Sequence, residues 1–497
     1  MSGQIQWVAV SVFVFFFALV TVMGFVASRW KSGPVSEHLD EWGLGGRQFG
    51  TWITWFLVGG DFYTAYTVIA VPALVYAVGA YGFFALPYTI IVYPFVFAVM
   101  PLLWKVAHRN GYVTAADVVH GAYQSRALEL AVALTGIVAT MPYIALQLVG
   151  MGAVIKTMGL QGELPIVAAF IILALYTYSS GLRAPALIAF VKDIMIYIVV
   201  LTAVVVVPAK LGGYGAVFAA AGDAFAVKGG TTGLTLHPSL YLAYSTLALG
   251  SALAAFMYPH TLTGVFASKS AGTIRKNAIL LPAYTLLLGL IALLGYMAHA
   301  AQLKVSSPNE VVPQLFQTLF PSWFSGFAFA AIAIGALVPA AVMSIGAANL
   351  FTRNVWKAYI NPAITHAGEA SVAKITSLVV KVGALAFTLF LPVQYALDLQ
   401  LLGGLWILQT FPALVFTLFT RWFRAEGLLA GWLVGILWGT YTAWSNGLKP
   451  LATITLGETG YTFYVGLGAL ILNVVVAAVA SAILGRRSPA AEAAARS

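Results

Sequence analysis

Long, almost uninterrupted runs of apolar residues follow one another along the whole chain. Each holds about 20 residues, enough for one helix to cross a ~30 Å hydrocarbon core. Thirteen such spans are read at 5–27, 50–79, 83–104, 127–157, 162–180, 184–208, 238–262, 278–300, 322–352, 375–396, 399–420, 428–446 and 462–485. The polar segments between them are short, so helices adjacent in sequence are expected to pack as neighbours. Two connections are longer. The Gly- and Ala-rich stretch "KLGGYGAVFAAAGDAFAVKGGTTG" within 209–237 predicts a small surface helix, and 301–321 predicts a partly helical outer cover.

Two of the spans carry the marks of a break. In the second, "WFLVGGDFYTAYTVIAVP", Gly59-Gly60 precedes an acid, four hydroxyl-bearing residues (Tyr63, Thr64, Tyr66, Thr67) and Pro72. In the seventh, "YLAYSTLALGSALAAFMYPH", Gly250-Ser251 lies mid-span and Pro259 near the inner end. Gly and Pro free backbone groups from the helical ladder, which at membrane depth is tolerated only where protein or a wet cavity satisfies them. Interrupted spans five apart and opposite in direction are the sign of an inverted-repeat transporter with a site near the midplane.

Composition agrees with the hydropathy. Of 497 residues 61% are hydrophobic and 8% charged, too little polar surface to cover a soluble globule of this size. The first run has no basic residue before it and exceeds a signal-peptide core, so it is expected to persist as a helix. The net charge of +10 has a topological origin and does not point to nucleic acid. With the N-terminus outside and the spans alternating, 18 of the 25 Lys and Arg fall in cytoplasmic segments, which also puts the C-terminus inside. Cysteine is absent, which excludes disulfides and thiolate metal sites. The reading is an all-α polytopic membrane protein: one transporter domain over 1–484 and a polar, Ala-rich cytoplasmic tail over 485–497.

Five stretches resemble motifs of the sodium/solute symporter family, in order and at the matching spans. "GGRQFGTW" resembles its entry motif and "MPYIALQLVGMGAVI" its Pro-Tyr-x-x-x-Gln element. "SGLRAPALIAF", "YPHTLTGVFASKSAGTIRKN" and "PAAVMSIGAANLFTRNVWK" resemble its sixth-span, seventh-span and ninth-span motifs. The resemblance implies a LeuT-like core of two inverted five-helix repeats, about 50–208 and 238–420, with one helix before and two after. Within the family, "AVPALVYAVGAYGFFALPYTIIVYP" and "GLRAPALIAFVKD" are similar to bacterial monocarboxylate permeases, which import lactate, pyruvate and related short acids. That implies a multi-pass protein of the bacterial cytoplasmic (inner) membrane, a small organic acid as substrate, a proton or sodium as coupling ion, and no cofactor.

The chain departs from the family where family members hold sodium. Carried over by motif, the ninth-span hydroxyl pair falls on Val338 and Pro339, and the sixth-span acid falls on Ala189. None of these offers a side-chain oxygen, which a hard cation needs. Three residues after Ala189, on the same helical face, stands Lys192. An ammonium near mid-membrane costs at least ~2.5–3.5 kcal/mol on insertion scales unless paired or hydrated. The expectation is that Lys192 occupies the region of the sodium site, and that transport is sodium-independent and driven by protons. Asp193 is adjacent and points roughly 100° away, so it is not the natural partner of Lys192. Asp61 is the other intramembrane acid and a candidate counter-charge in coupling, while Lys381 is expected to snorkel inward.

By the same carry-over, Thr64, Tyr66, Ser251 and Ala255 are expected to contact substrate. Gln147 adds an uncharged group that can donate to a carboxylate or bond to neighbouring backbone. His260 is expected at the membrane boundary. Other classes fit less well. A membrane enzyme would need a His cluster, a nucleophilic cysteine or a carboxylate cluster, and a sensor would need a signalling domain beyond Arg486. Broken helices at inverted positions suit a carrier better than a channel. Among carriers, the alternative is a sodium-coupled symporter of a short organic acid or amino acid.

Overall fold

The computed structural model describes residues 5–29, 38–60, 63–160, 162, 164–390 and 396–485. Asp61 and all but the first residue of the predicted tail (486–497) lie outside the described residues. Among the described residues, nine helices are long and apolar enough to cross a membrane. They become ten if Pro238–Ala255 and Pro259–Ala267, bent by 46° at a short break, count as one span. Three further expected spans are helical without passing that test. The second is split into Thr51–Gly60 and Tyr66–Val78, the fifth is Leu164–Ser180, and the twelfth is Ala425–Ser445.

The helix Ser322–Phe351 is the hub of the bundle. Its strongest span is fully buried, and it packs against Trp7–Val26, Arg126–Thr157, Arg183–Lys210 and His366–Phe390. Small residues let it do so: in this ninth helix Ala and Gly dominate between Ala328 and Ala348, so neighbouring helices approach closely from every side. The last two helices, Ala425–Ser445 and Val465–Leu484, use the same device in a stricter form. Gly427, Gly431, Gly435 and Gly439 repeat at four-residue spacing, and a Cβ at Gly431 would come within 2.4 Å of the Asn473 carbonyl oxygen.

The long connections fold as expected, with helices at Tyr214–Lys228 and Val311–Leu319. Two other connections hold structure that hydropathy does not reveal. Residues 451–464 form an antiparallel hairpin, β1 (Leu451–Leu456) with β2 (Thr459–Tyr464), turned at Gly457 with φ +63°. Residues Ala115–Tyr123 form a short helix started by a capping box in which Thr114 and Asp117 satisfy each other's backbone N–H groups.

That short helix is tied to the end of the hub by one buried amide. Asn354 accepts from the Thr114 hydroxyl (2.7 Å) and donates to Asp117 (2.7 Å) and Glu129 (2.9 Å). Glu129 also pairs with Arg126 and His120, both at 2.9 Å. Glu369, at the start of the tenth helix, pairs with Arg353 and Lys357. Four elements are thus joined through side chains of fixed hydrogen-bonding polarity. Replacing Asn354 by Leu leaves the buried Glu129 and the half-buried Asp117 carboxylates short of a donor. A loss of about 1–3 kcal/mol is expected, read as a lower thermal unfolding temperature of the detergent-purified protein.

Candidate functional site

The break in the second span is built by its own sequence. The helix Thr51–Gly60 ends on two glycines that side chains from other spans approach closely. A Cβ on Gly59 would lie 2.3 Å from Tyr284 Cε2, and one on Gly60 would lie 2.8 Å from Lys192 Nζ. The helix resumes on a wide turn over Tyr66–Ala70 and continues to Val78. In between, backbone groups find partners outside a helical ladder. Tyr66 N–H donates to Thr64 Oγ1 (3.0 Å), and Ala65 N–H donates to Gln147 Oε1 (3.0 Å) from the fourth span.

The carbonyls of the break face Lys192, which is 0% exposed in the middle of Arg183–Lys210. Its ammonium donates to Gly60 O at 2.7 Å and to Tyr63 O at 3.3 Å, and pairs with Asp193 Oδ1 at 3.0 Å. The other Asp193 oxygen accepts from the Tyr284 hydroxyl at 2.6 Å. Rings of Tyr63 and Tyr284 pack at 4.4 Å, with Tyr197 beside both. The expectation that Asp193 would not partner Lys192 is therefore overturned. Adjacent Cβ atoms do diverge on a helix, but the flexible four-carbon stem of lysine lets the amine fold back to its neighbour. In a water-poor interior two opposite charges this close neutralise each other, and removing one partner leaves an unpaired buried charge.

Ala189, Val338 and Pro339 are all buried. One turn before Val338, a Cβ on Gly335 would lie 3.7 Å from Tyr63 O and 3.2 Å from Ile196 Cδ1. A carbonyl that the ammonium contacts thus lies against the ninth helix, next to the face that carries Val338 and Pro339. Among the described residues no group of three His, Asp or Glu side chains could hold a metal ion.

The expected substrate residues gather near the two breaks, in different states. Ala255 lines a small cavity of about 20 Å³ together with Tyr88, Tyr143, Tyr258, His260, Thr261 and Gln400. Tyr66 packs edge-on against Tyr88 at 6.3 Å, and its buried hydroxyl has no partner. Ser251, one turn ahead of Ala255, likewise holds a buried hydroxyl without a partner. The Thr64 hydroxyl is engaged by its own backbone, and Gln147 binds backbone through both ends of its amide, donating to Tyr143 O at 3.3 Å. Gln147 therefore braces the break of the second span.

Two expectations about position need correction. His260 is 2% exposed and lines the cavity, because the seventh span bends and continues as Pro259–Ala267 where a straight helix would have ended. Lys381 does not snorkel: it is buried and donates to Ser377 Oγ at 2.7 Å. Tyr284, Tyr88, Tyr143, Tyr258 and Gln400 escaped the sequence reading, since each is an ordinary aromatic or amide within an apolar run and only packing brings them together.

A helical bundle interrupted at the second and seventh spans, with buried polar groups at both breaks, is the architecture of a secondary transporter. Residues 42–435 match the sodium:solute symporter family. The chain is 72% identical over 489 residues to the monocarboxylate transport permease protein of Rhizobium johnstonii, covering 98% of this chain and 99% of the relative. It is 35% identical over 424 residues to the uncharacterized symporter YodF of Bacillus subtilis, covering 84% of each. It is 24% identical to a sodium/proline symporter of Staphylococcus aureus, over 91% of this chain and 89% of the relative. The fold matches a solved Na⁺-coupled sialic acid symporter in a substrate-bound outward-open state, with TM-score 0.77 and 14% identity over 97% of this chain and 99% of that one. The protein belongs to the sodium:solute symporter family. It is accordingly a multi-pass membrane transporter of a small molecule with a coupling ion.

Two substitutions test the geometry of the second-span break. Gly60→Ala places a methyl 2.8 Å from the Lys192 amine, and initial uptake in cells should fall at least about tenfold, the equivalent of ~1.4 kcal/mol. Gln147→Leu strands the buried Ala65 N–H, at an expected cost of about 1–3 kcal/mol in thermal stability together with a higher half-saturating substrate concentration.

Proposed function

We infer that this chain imports short monocarboxylates such as lactate and pyruvate by alternating access. On this reading Lys192 supplies a fixed ammonium in the region where relatives recruit sodium, and the driving ion is the proton. The observation that carries the reading is the contact of Lys192 Nζ with Gly60 O and Tyr63 O, the carbonyls freed by the second-span break. An ammonium in that position satisfies oxygens that would otherwise attract a small cation. The absence of side-chain oxygen at Ala189, Val338 and Pro339 supports the same conclusion. The substrate class follows the name of the Rhizobium johnstonii relative and the sequence resemblance.

Asp193 completes a neutral, buried pair with Lys192 and is the group through which a proton held by the amine is exchanged. Asp61, next to Gly60 in sequence, remains in the proposal as a coupling residue. Thr64, Tyr66, Gln147, Ser251 and Ala255 shape the substrate path between the breaks, with Thr64 and Gln147 acting through the backbone they hold. On this reading the helical segments at the second, fifth and twelfth positions also cross the membrane, for thirteen spans in all. With the N-terminus outside and the C-terminus inside, the protein is a single transporter domain of the bacterial inner membrane. The alternative, a sodium-coupled symporter of a short acid or amino acid, is favoured by the names of the Staphylococcus aureus and sialic acid relatives.

Counterflow and pH-driven uptake of labelled lactate in proteoliposomes separate the two. Accumulation should proceed without sodium when the lumen is alkaline, and Lys192→Met should abolish accumulation driven by the pH gradient. Uptake that appears only on adding sodium refutes proton coupling.

A further inference from the structure

We propose that Tyr284 is a positioning residue that ties the charge state of the Lys192–Asp193 pair to the hold of the second and eighth spans on the sixth. The role rests on the proton-coupled reading above and adds to it the group that makes proton transfer and helix movement one event.

The two oxygens of Asp193 serve different helices. Oδ1 lies 3.0 Å from the Lys192 ammonium, and Oδ2 accepts from the Tyr284 hydroxyl at 2.6 Å. Tyr284 stands in the helix Pro282–Ala292 of the eighth span and is buried. Three residues of the second span fix its ring. A Cβ on Gly59 would lie 2.3 Å from Tyr284 Cε2, and the ring centroid is 4.9 Å from that of Trp55 and 4.4 Å from that of Tyr63. With the ring so held, the hydroxyl can still rotate about its own C–O bond. It has one proton to donate, and two acceptors are in reach: Asp193 Oδ2 at 2.6 Å and Trp55 O at 3.4 Å.

Charge decides between those acceptors. A hydrogen bond to an ionised carboxylate is roughly twice as strong as one to a neutral group. While Asp193 is ionised, Tyr284 binds it and fastens the eighth span to the sixth. Lys192 fastens the second span to the sixth at the same time, through Gly60 O and Tyr63 O. When a proton passes from Lys192 to Asp193, an N–H bond breaks and an O–H bond forms. Ammonium and carboxylate become amine and acid, and no other reactant is needed. Asp193 then loses its advantage over the Trp55 carbonyl, and the amine becomes a weaker donor to the carbonyls of the break. Both fastenings loosen together, and the acid gives its proton to water once the helices part. The other titratable groups around the pair are Tyr63 and Tyr197, whose rings lie beside Tyr284. Tyr93 of the third span is bonded to Thr285 at 2.5 Å, and the ninth helix presents Gly335 toward Tyr63 O. Among the described residues, Tyr284 supplies the hydroxyl that bonds Asp193.

The test compares two assays of the full-length protein in proteoliposomes: accumulation of labelled lactate driven by a pH gradient, and lactate counterflow at equal pH on both sides. Tyr284→Phe keeps the ring and removes the hydroxyl, so helix movement no longer depends on the proton. Accumulation should fall by about tenfold or more, as for the loss of one hydrogen bond to a charged group, while counterflow stays within about threefold of wild type. A Tyr284→Phe protein that accumulates lactate like the wild type overturns the role and leaves proton coupling standing. Equal losses in both assays show a purely structural part and overturn it too. Should the variant fail to fold, infrared difference spectra of the wild type between alkaline and acidic buffer decide. A protonated carboxyl band should appear together with a shifted tyrosine C–O band, and a spectrum lacking either change overturns the role. A wild type that accumulates no lactate under a pH gradient overturns the proposed function, and this role falls with it.

Discussion

The arrangement depends on one electrostatic contact, the ammonium of Lys192 against the carbonyls of Gly60 and Tyr63. A helix broken inside a membrane leaves carbonyl dipoles without partners in the helical ladder. Here the cation is covalently attached to the neighbouring helix. Its own desolvation is offset by the carbonyls and by Asp193, which is held in turn by the Tyr284 hydroxyl. Glycine at position 60 is part of the same device, because a Cβ there would crowd the amine at 2.8 Å.

The second break works differently. At the start of Pro259–Ala267 the unsatisfied groups are N–H donors, the opposite polarity to the carbonyls around Lys192. The bundle therefore offers an electronegative pocket filled by an internal cation and, near its other break, a helix start of positive polarity beside a small cavity. Opposed helix ends of this kind follow from an inverted pair of broken spans. The ninth helix, made of small residues, runs past both. Gly335 lies near Tyr63 O, and a Cβ on Gly346 would meet the backbone of Pro259 and His260.

Pairing within the sixth span shows where one-dimensional reasoning stops. A helical wheel separates Lys192 from Asp193 by the angle between consecutive residues, and on that basis they do not meet. The wheel places Cβ atoms only. The amine sits at the end of a long, freely rotating stem, and its position is decided by where charge can be neutralised, which depends on the second and eighth spans. Lys381 makes the same point in the other direction. A snorkelling path exists on the wheel, yet the packed interface with the ninth helix turns the amine toward Ser377, which is bonded to Ser344 at 3.1 Å.

Much was legible in the linear pattern: the membrane class, the two interrupted spans, the surface helices in the long connections, and the family. These follow from local rules, since apolar run length and the positions of Gly and Pro act on the backbone where they stand. The hairpin over 451–464 was not legible, because its short strands merge with the polar interval between two spans. His260 was misplaced because hydropathy does not show that a helix bends and continues. The sequence by itself determined that a lysine lies deep in the sixth span and that Ala189, Val338 and Pro339 carry no side-chain oxygen. Only the tertiary structure decided that Gly60, Tyr63, Asp193 and Tyr284 surround that cation, and that Tyr88, Tyr143, His260 and Gln400 share a cavity. Those groups are far apart along the chain, and the distances that set their chemistry arise only when the helices pack.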